Sequence, residues 1–262
     1  MSGHRLIVLA VPVVALAACA GTVEGTTTSE GDGPATALQG DLLVSAAASL
    51  ADAFAEIESA FEAANPGVDV HLNLGSSSSL RQQVLEGAPG DVFASANTSN
   101  MDQVAEAGET AGDPEIFARN RMQIALPAGN PAGITGLEDL GNENLLIGLC
   151  AEEAPCGVFG RAVLENAGVI PSIDSNEPDV RALLTKIEAG ELDAGITYVT
   201  DVLSTGGGVE GLDIPEDVNV VADYPIAALV NAPNPDAAAV FVDFVLSEQG
   251  QAILNGYGFS SP

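Results

Sequence analysis

The sequence predicts an α/β fold: a parallel or mixed sheet with helices on both faces. Three observations carry this. Short apolar runs at strand spacing alternate with stretches at helical spacing. Breakers such as Asn65-Pro66-Gly67 separate them. Apolar residues make up 47% of the 262, enough for a sizeable core in one large domain or two lobes.

The elements follow in order. Residues 41–46, DLLVSA, have strand character. Leu50, Phe54, Ile57 and Phe61 recur at the spacing of one helix face. Val68, Val70, Leu72 and Leu74 alternate strictly, which predicts a strand. Leu80, Val84 and Leu85 begin a second helical face, Gly87 to Gly90 end it, and DVFASA at 91–96 is a third strand. The second half has strands at 121–127, 145–150 and 194–199 and helices at 157–168 and 179–191. In the latter helix Val180, Leu183, Leu184 and Ile187 share one side. Two apolar helical stretches close the chain, near 236–247 and 249–256.

The N-terminus sets the expected compartment. Arg5 precedes the apolar run Leu6–Leu16, too short to span a bilayer core of about 30 Å but suited to an export signal. Leu16–Cys19, LAAC, is similar to a bacterial lipoprotein signal, in which the cysteine receives the lipid and becomes the new N-terminus. The expectation is a signal peptide at 1–18, then lipidated Cys19 and a Gly-, Thr- and Ser-rich tether through 39. This predicts an extracytoplasmic protein held to the cell membrane by its lipid alone.

Charge narrows the partners. The formal net charge is −30 with only seven Lys and Arg, and loss of residues 1–18 removes Arg5 and makes it −31. Such a chain repels nucleic acid and acidic membranes. Trp is absent, which argues against stacking platforms for bases or sugars. Beyond Cys19 only Cys150 and Cys156 remain, and an exported setting makes their pairing plausible. Their spacing is not a zinc pattern, and His71 is the only histidine beyond the leader, so no direct cation site and no cofactor are expected.

The stretch Gly75-Ser76-Ser77-Ser78-Ser79 reads by composition as a linker. Its place between a strand and a helix overrules that. Serine at a helix start caps free backbone N–H groups, and the start itself attracts anions. Ser49 occupies an equivalent turn, and two more helix starts follow at Pro155-Cys156-Gly157 and Pro178-Asp179-Val180. Ligands of open α/β sheets collect where such turns converge, so four of them, two per half, suit a small anion. Arg81, Arg161 and Arg181 each sit just inside one of these helices, as solvated or carboxylate-paired residues or as a source of local positive potential. A competing enzyme reading takes Cys156 as nucleophile and His71 as base, although His71 points away from the apolar face of its strand.

The sequence also resembles the periplasmic molybdate-binding proteins of ABC transporters, the ModA family. AAASL at 46–50, SSSSLRQQVLEGAPGDVFASA at 76–96, DVRALL at 179–184, GITY at 195–198 and YGF at 257–259 carry the resemblance, in the family's order from about Leu42 to the end. It implies a two-lobed type II periplasmic-binding-protein fold, each lobe a mixed sheet flanked by helices. The expected lobes are 40–121 with 226–262, and 122–225, with chain crossings near Arg119–Met122 and Asp223–Ile226. The resemblance further implies a monomer that binds molybdate or tungstate between the lobes and hands it to an ABC permease, with no catalytic activity. Ser49 and Ser77 would donate hydroxyl and backbone N–H, Cys156 and Val180 backbone N–H, and Tyr198 its phenol. Ser76, Ser78 and Ser79 remain turn and cap residues. Two departures stand out: Cys156 replaces a common Ala, where pairing with Cys150 could stiffen the loop, and Gln82 replaces a frequent Arg. Another tetrahedral oxyanion such as sulfate is the alternative ligand.

Overall fold

The computed structural model describes residues 37–262, so the expected signal peptide, Cys19 and most of the tether lie outside the described residues. In chain order the elements are β1 (Gly40–Ala47), α1 (Ala51–Ala64), β2 (Val68–Gly75), α2 (Ser77–Leu85), β3 (Val92–Ala94), α3 (Thr98–Glu106), β4 (Glu115–Pro127) and β5 (Ile147–Cys150). There follow α4 (Pro155–Asn166), β6 (Ile173–Glu177), α5 (Val180–Glu188), β7 (Ala194–Tyr198), α6 (Val199–Ser204), β8 (Val209–Asp213), β9 (Val221–Ala228), α7 (Pro235–Leu246) and α8 (Glu248–Gly256).

The strands run in the order β2-β1-β3-β9-β4-β7-β5-β6, with β8 also paired to β4. β1 is parallel to both β2 and β3, as βα units require, while β9 runs antiparallel to β3 and β4. The long strand β4 joins two halves. Its residues up to Arg121 pair with β9, and from Met122 onward it pairs with β7 and β8. This is the mixed sheet that the alternating pattern predicts. The return crossing was expected near Asp223–Ile226, yet β9 already pairs with the first half of β4 from Val221.

Helical spacing translates directly into burial. Phe54, Ile57 and Phe61 on α1 are fully buried, and Phe61 meets Phe241 of α7 edge-on at 5.1 Å between ring centroids. On α5 the buried residues are Val180, Leu183, Leu184 and Ile187. The strict alternation on β2 is only half realised. Val68 and Val70 are buried, but Leu74 is 43% exposed. β2 is the sheet edge, and burial fades toward its C-terminal end.

Candidate functional site

Four helix starts meet at one place. They belong to the 3₁₀ turn Ala48–Leu50 that leads into α1, and to α2, α4 and α5. Each helix leaves its first N–H groups without intrahelical partners. Side chains claim only some of these. Ser76 caps α2 by accepting the Ser79 N–H at 3.3 Å. Asp179 caps α5, its Oδ1 accepting the N–H groups of Arg181 and Ala182 at 2.9 and 3.0 Å. Neither the 3₁₀ turn nor α4 has a side-chain cap.

Ser49, Ser77, Cys156, Val180 and Tyr198 all line one small cavity, of about 10 Å³, at this junction. That is far below the roughly 300–1,000 Å³ of sites for drug-sized molecules, so the space suits nothing larger than a small ion. Arg81, Arg161 and Arg181 do not line it. Arg81 donates to Asn100 Oδ1 at 3.0 Å. Arg161 donates to the carbonyl oxygens of Cys150 and Gly157 at 2.8 and 3.1 Å and to Asn176. Arg181 pairs with Asp52.

Several side chains are tuned as donors. The Ser77 Oγ accepts the Ala96 N–H at 2.9 Å, which leaves its own proton to donate. Ser49 Oγ lies 2.9 Å from Tyr224 Oη, which Asn120 Nδ2 approaches at 3.5 Å. Tyr198 Oη is buried and has no hydrogen-bond partner. Burial, with the nearby Tyr224 and Asp201, pushes its phenol well above the usual tyrosine range, so it stays an O–H donor. Behind it Asp201 is fully buried, and its carboxyl is pushed up to about 7 by burial, which Arg181 and the Tyr198 N–H offset only in part. Asp201 Oδ1 sits 3.4 Å from Arg181 Nε, an ion-pair distance without an aligned hydrogen bond.

Cys150 and Cys156 form a disulfide with 5.7 Å between Cα atoms. It ties the end of β5 to the start of α4. Gly157 makes this close approach possible, since a β-carbon there would overlap the Ala151 carbonyl oxygen. The bond also overturns the nucleophile reading. Cys156 has no free thiol, and His71 lies on the edge strand β2, outside the cavity lining, with Asp41 and Asp69 at 3.7 and 3.9 Å.

Sequence reasoning missed Tyr224, Asn120, Ala96 and Asp201. Their partners at the site are mostly many residues away along the chain, and no local pattern marks such contacts.

The family model described as bacterial extracellular solute-binding protein matches residues 42–260. The molybdate-binding protein ModA of Mycobacterium tuberculosis is 40% identical over 98% of this chain and its own full length. The chain belongs to the ModA family of bacterial extracellular solute-binding proteins. Among solved structures, the sulfate-binding protein SubI from Mycobacterium tuberculosis matches with a TM-score of 0.76 at 17% identity, covering 84% of this chain and 86% of that one. The periplasmic molybdate-binding protein of Azotobacter vinelandii matches at 0.73 and 19% identity, covering 84% and 99%. At such identities the two structures bear on the fold alone, and it is the expected two-lobed periplasmic-binding-protein fold.

Proposed function

We propose that this protein captures molybdate or tungstate in the cavity between its two halves and delivers it to an ABC permease, without catalysing a reaction. The observation that carries the reading is the buried, unpartnered Tyr198 hydroxyl, lining a small cavity where four helix starts converge. Its ligands are Ser49 and Ser77 through hydroxyl and N–H, Cys156 and Val180 through N–H, and Tyr198 through its phenol. Ser49 Oγ and Tyr224 Oη lie 2.9 Å apart and either can donate; when Tyr224 does, the Ser49 proton is also free for the ligand.

Neutral donors suffice for a dianion. Charge-assisted hydrogen bonds contribute about 1.5–3 kcal/mol each, and they strengthen where water is excluded. Surface carboxylates more than about 8–10 Å away are largely screened at physiological salt. Molybdate and tungstate are fully deprotonated near neutral pH and only accept. Phosphate carries a proton that a donor-only site leaves unmatched. The 40% identity to a molybdate-binding protein supports the same ligand.

The halves act as lobes that close about β4 and β9, the first comprising about 40–121 with the C-terminal segment from β9 onward, the second the chain between. The mature protein is a lipid-anchored monomer on the outer face of the cell membrane, tethered through Cys19.

Calorimetry of a soluble form lacking residues 1–19 with molybdate, tungstate, sulfate and phosphate tests the assignment. Tight binding of molybdate and tungstate, with sulfate and phosphate far weaker, is expected. Sulfate binding as tightly as molybdate selects the alternative reading, a binder of another tetrahedral oxyanion.

A further inference from the structure

Arg181 contacts both halves at once. On its own side Nη1 donates to Ser204 Oγ at 2.9 Å and Nε lies 3.4 Å from the buried Asp201. Across the cleft Nε donates to the Ala48 carbonyl oxygen at 3.3 Å, and Nη2 pairs with Asp52 in the first turn of α1. The two sets of partners belong to elements joined through β4 and β9, so parting of the halves breaks the Ala48 and Asp52 contacts and spares the others.

The contacts also fall at the ligand turns. Arg181 directly follows Val180. The Ala48 carbonyl shares a planar trans peptide unit with the Ser49 N–H, and the two groups point in opposite directions. A guanidinium on that oxygen polarises the Ser49 N–H as a donor on the other side.

We propose that Arg181 is an interlobe latch: a positioning residue that engages Asp52 and the Ala48 carbonyl only in the closed cleft, aligns the Ser49 and Val180 donors, and slows release of the bound oxyanion. The inference rests on the oxyanion-binding reading. It adds a cationic residue that acts on the ligand without touching it.

Stopped-flow release of molybdate from wild type, Arg181→Gln, Arg181→Lys, Asp52→Asn and the Arg181→Gln/Asp52→Asn double variant tests it. Arg181→Gln is expected to speed release about tenfold while changing the association rate less than threefold. Arg181→Lys recovers part of the loss, because it keeps the charge but not the planar fork. Asp52→Asn also speeds release, and its effect vanishes in the Arg181→Gln background. Arg181 also neutralises Asp201, so the comparison is repeated with Asp201→Asn, where Arg181→Gln must still speed release. Release from Arg181→Gln within twofold of wild type, or independent multiplying effects of the two substitutions, overturns the latch. If wild type binds none of the oxyanions, the functional reading fails. The latch is then judged by the Arg181–Asp52 coupling in urea unfolding of the ligand-free protein, where no coupling overturns it.

Discussion

The Ser77 hydroxyl, itself fully buried, accepts the Ala96 N–H at 2.9 Å, although both Ser76 and Ser77 line the cavity. Ser76, by contrast, spends its oxygen on the cap of α2. Ser77→Ala is therefore expected to weaken molybdate binding at least tenfold, since it removes a donor and strands the Ala96 N–H. Ser76→Ala should cost about 1 kcal/mol of stability and little affinity. Calorimetry and urea unfolding of the pair check this, and equal losses of affinity would show that the register of the turn is wrong.

Tyr198→Phe separates binding from folding. The Oη atom is buried without a partner in the ligand-free protein, so deleting it removes an unsatisfied group. Stability should hold or rise, while molybdate affinity falls tenfold or more. A variant that loses stability and keeps affinity would place the hydroxyl in the scaffold instead.

Asp201 makes stability depend on pH. Its carboxyl is pushed up to about 7 in the fold, against an ordinary value of 3.8. The folded state thus holds the proton more tightly than the unfolded chain does. The associated stability is present below about 4 and is lost as pH rises through 7. Asp201→Asn cannot ionise, so its Tm advantage over wild type should grow between about pH 4 and 7 and level off above, by roughly 2–4 °C per kcal/mol. A difference that stays flat over that range would contradict the assignment.

The disulfide is expected to serve affinity as well as stability. Replacing Cys150 and Cys156 by serine opens a short loop worth about 2 kcal/mol in chain entropy. It also frees the turn that presents the Cys156 N–H. Both the urea midpoint and the molybdate affinity should fall, and unchanged affinity would show that α4 holds its start without the bond.

Much of this fold was legible because burial is periodic. Phe54, Ile57 and Phe61 at helical spacing, and Val180 with Leu183, Leu184 and Ile187, announced α1 and α5. The helix α3 escaped notice because only Met101 and Val104 mark its buried face, beside the polar Asn100. The strand β9 was hidden by Pro225, a residue that ordinarily argues against a strand. At the site, Ser49 and Ser77 were visible as turn residues after strands. Tyr224 was not, because it meets Ser49 across 175 positions of chain. The Arg181–Asp52 pair likewise exists only once the two halves are brought together.

The central claim is that a small oxyanion sits at the junction of the four helix starts, held by neutral donors alone. Anomalous diffraction at the molybdenum edge from crystals grown with molybdate tests it most directly. The account predicts one strong peak in the cavity, with ligand oxygens about 2.7–3.1 Å from Tyr198 Oη, the Ser49 and Ser77 hydroxyls and the N–H groups of Cys156 and Val180. A peak coordinated by arginine or lysine side chains, or none in this cavity, would contradict it.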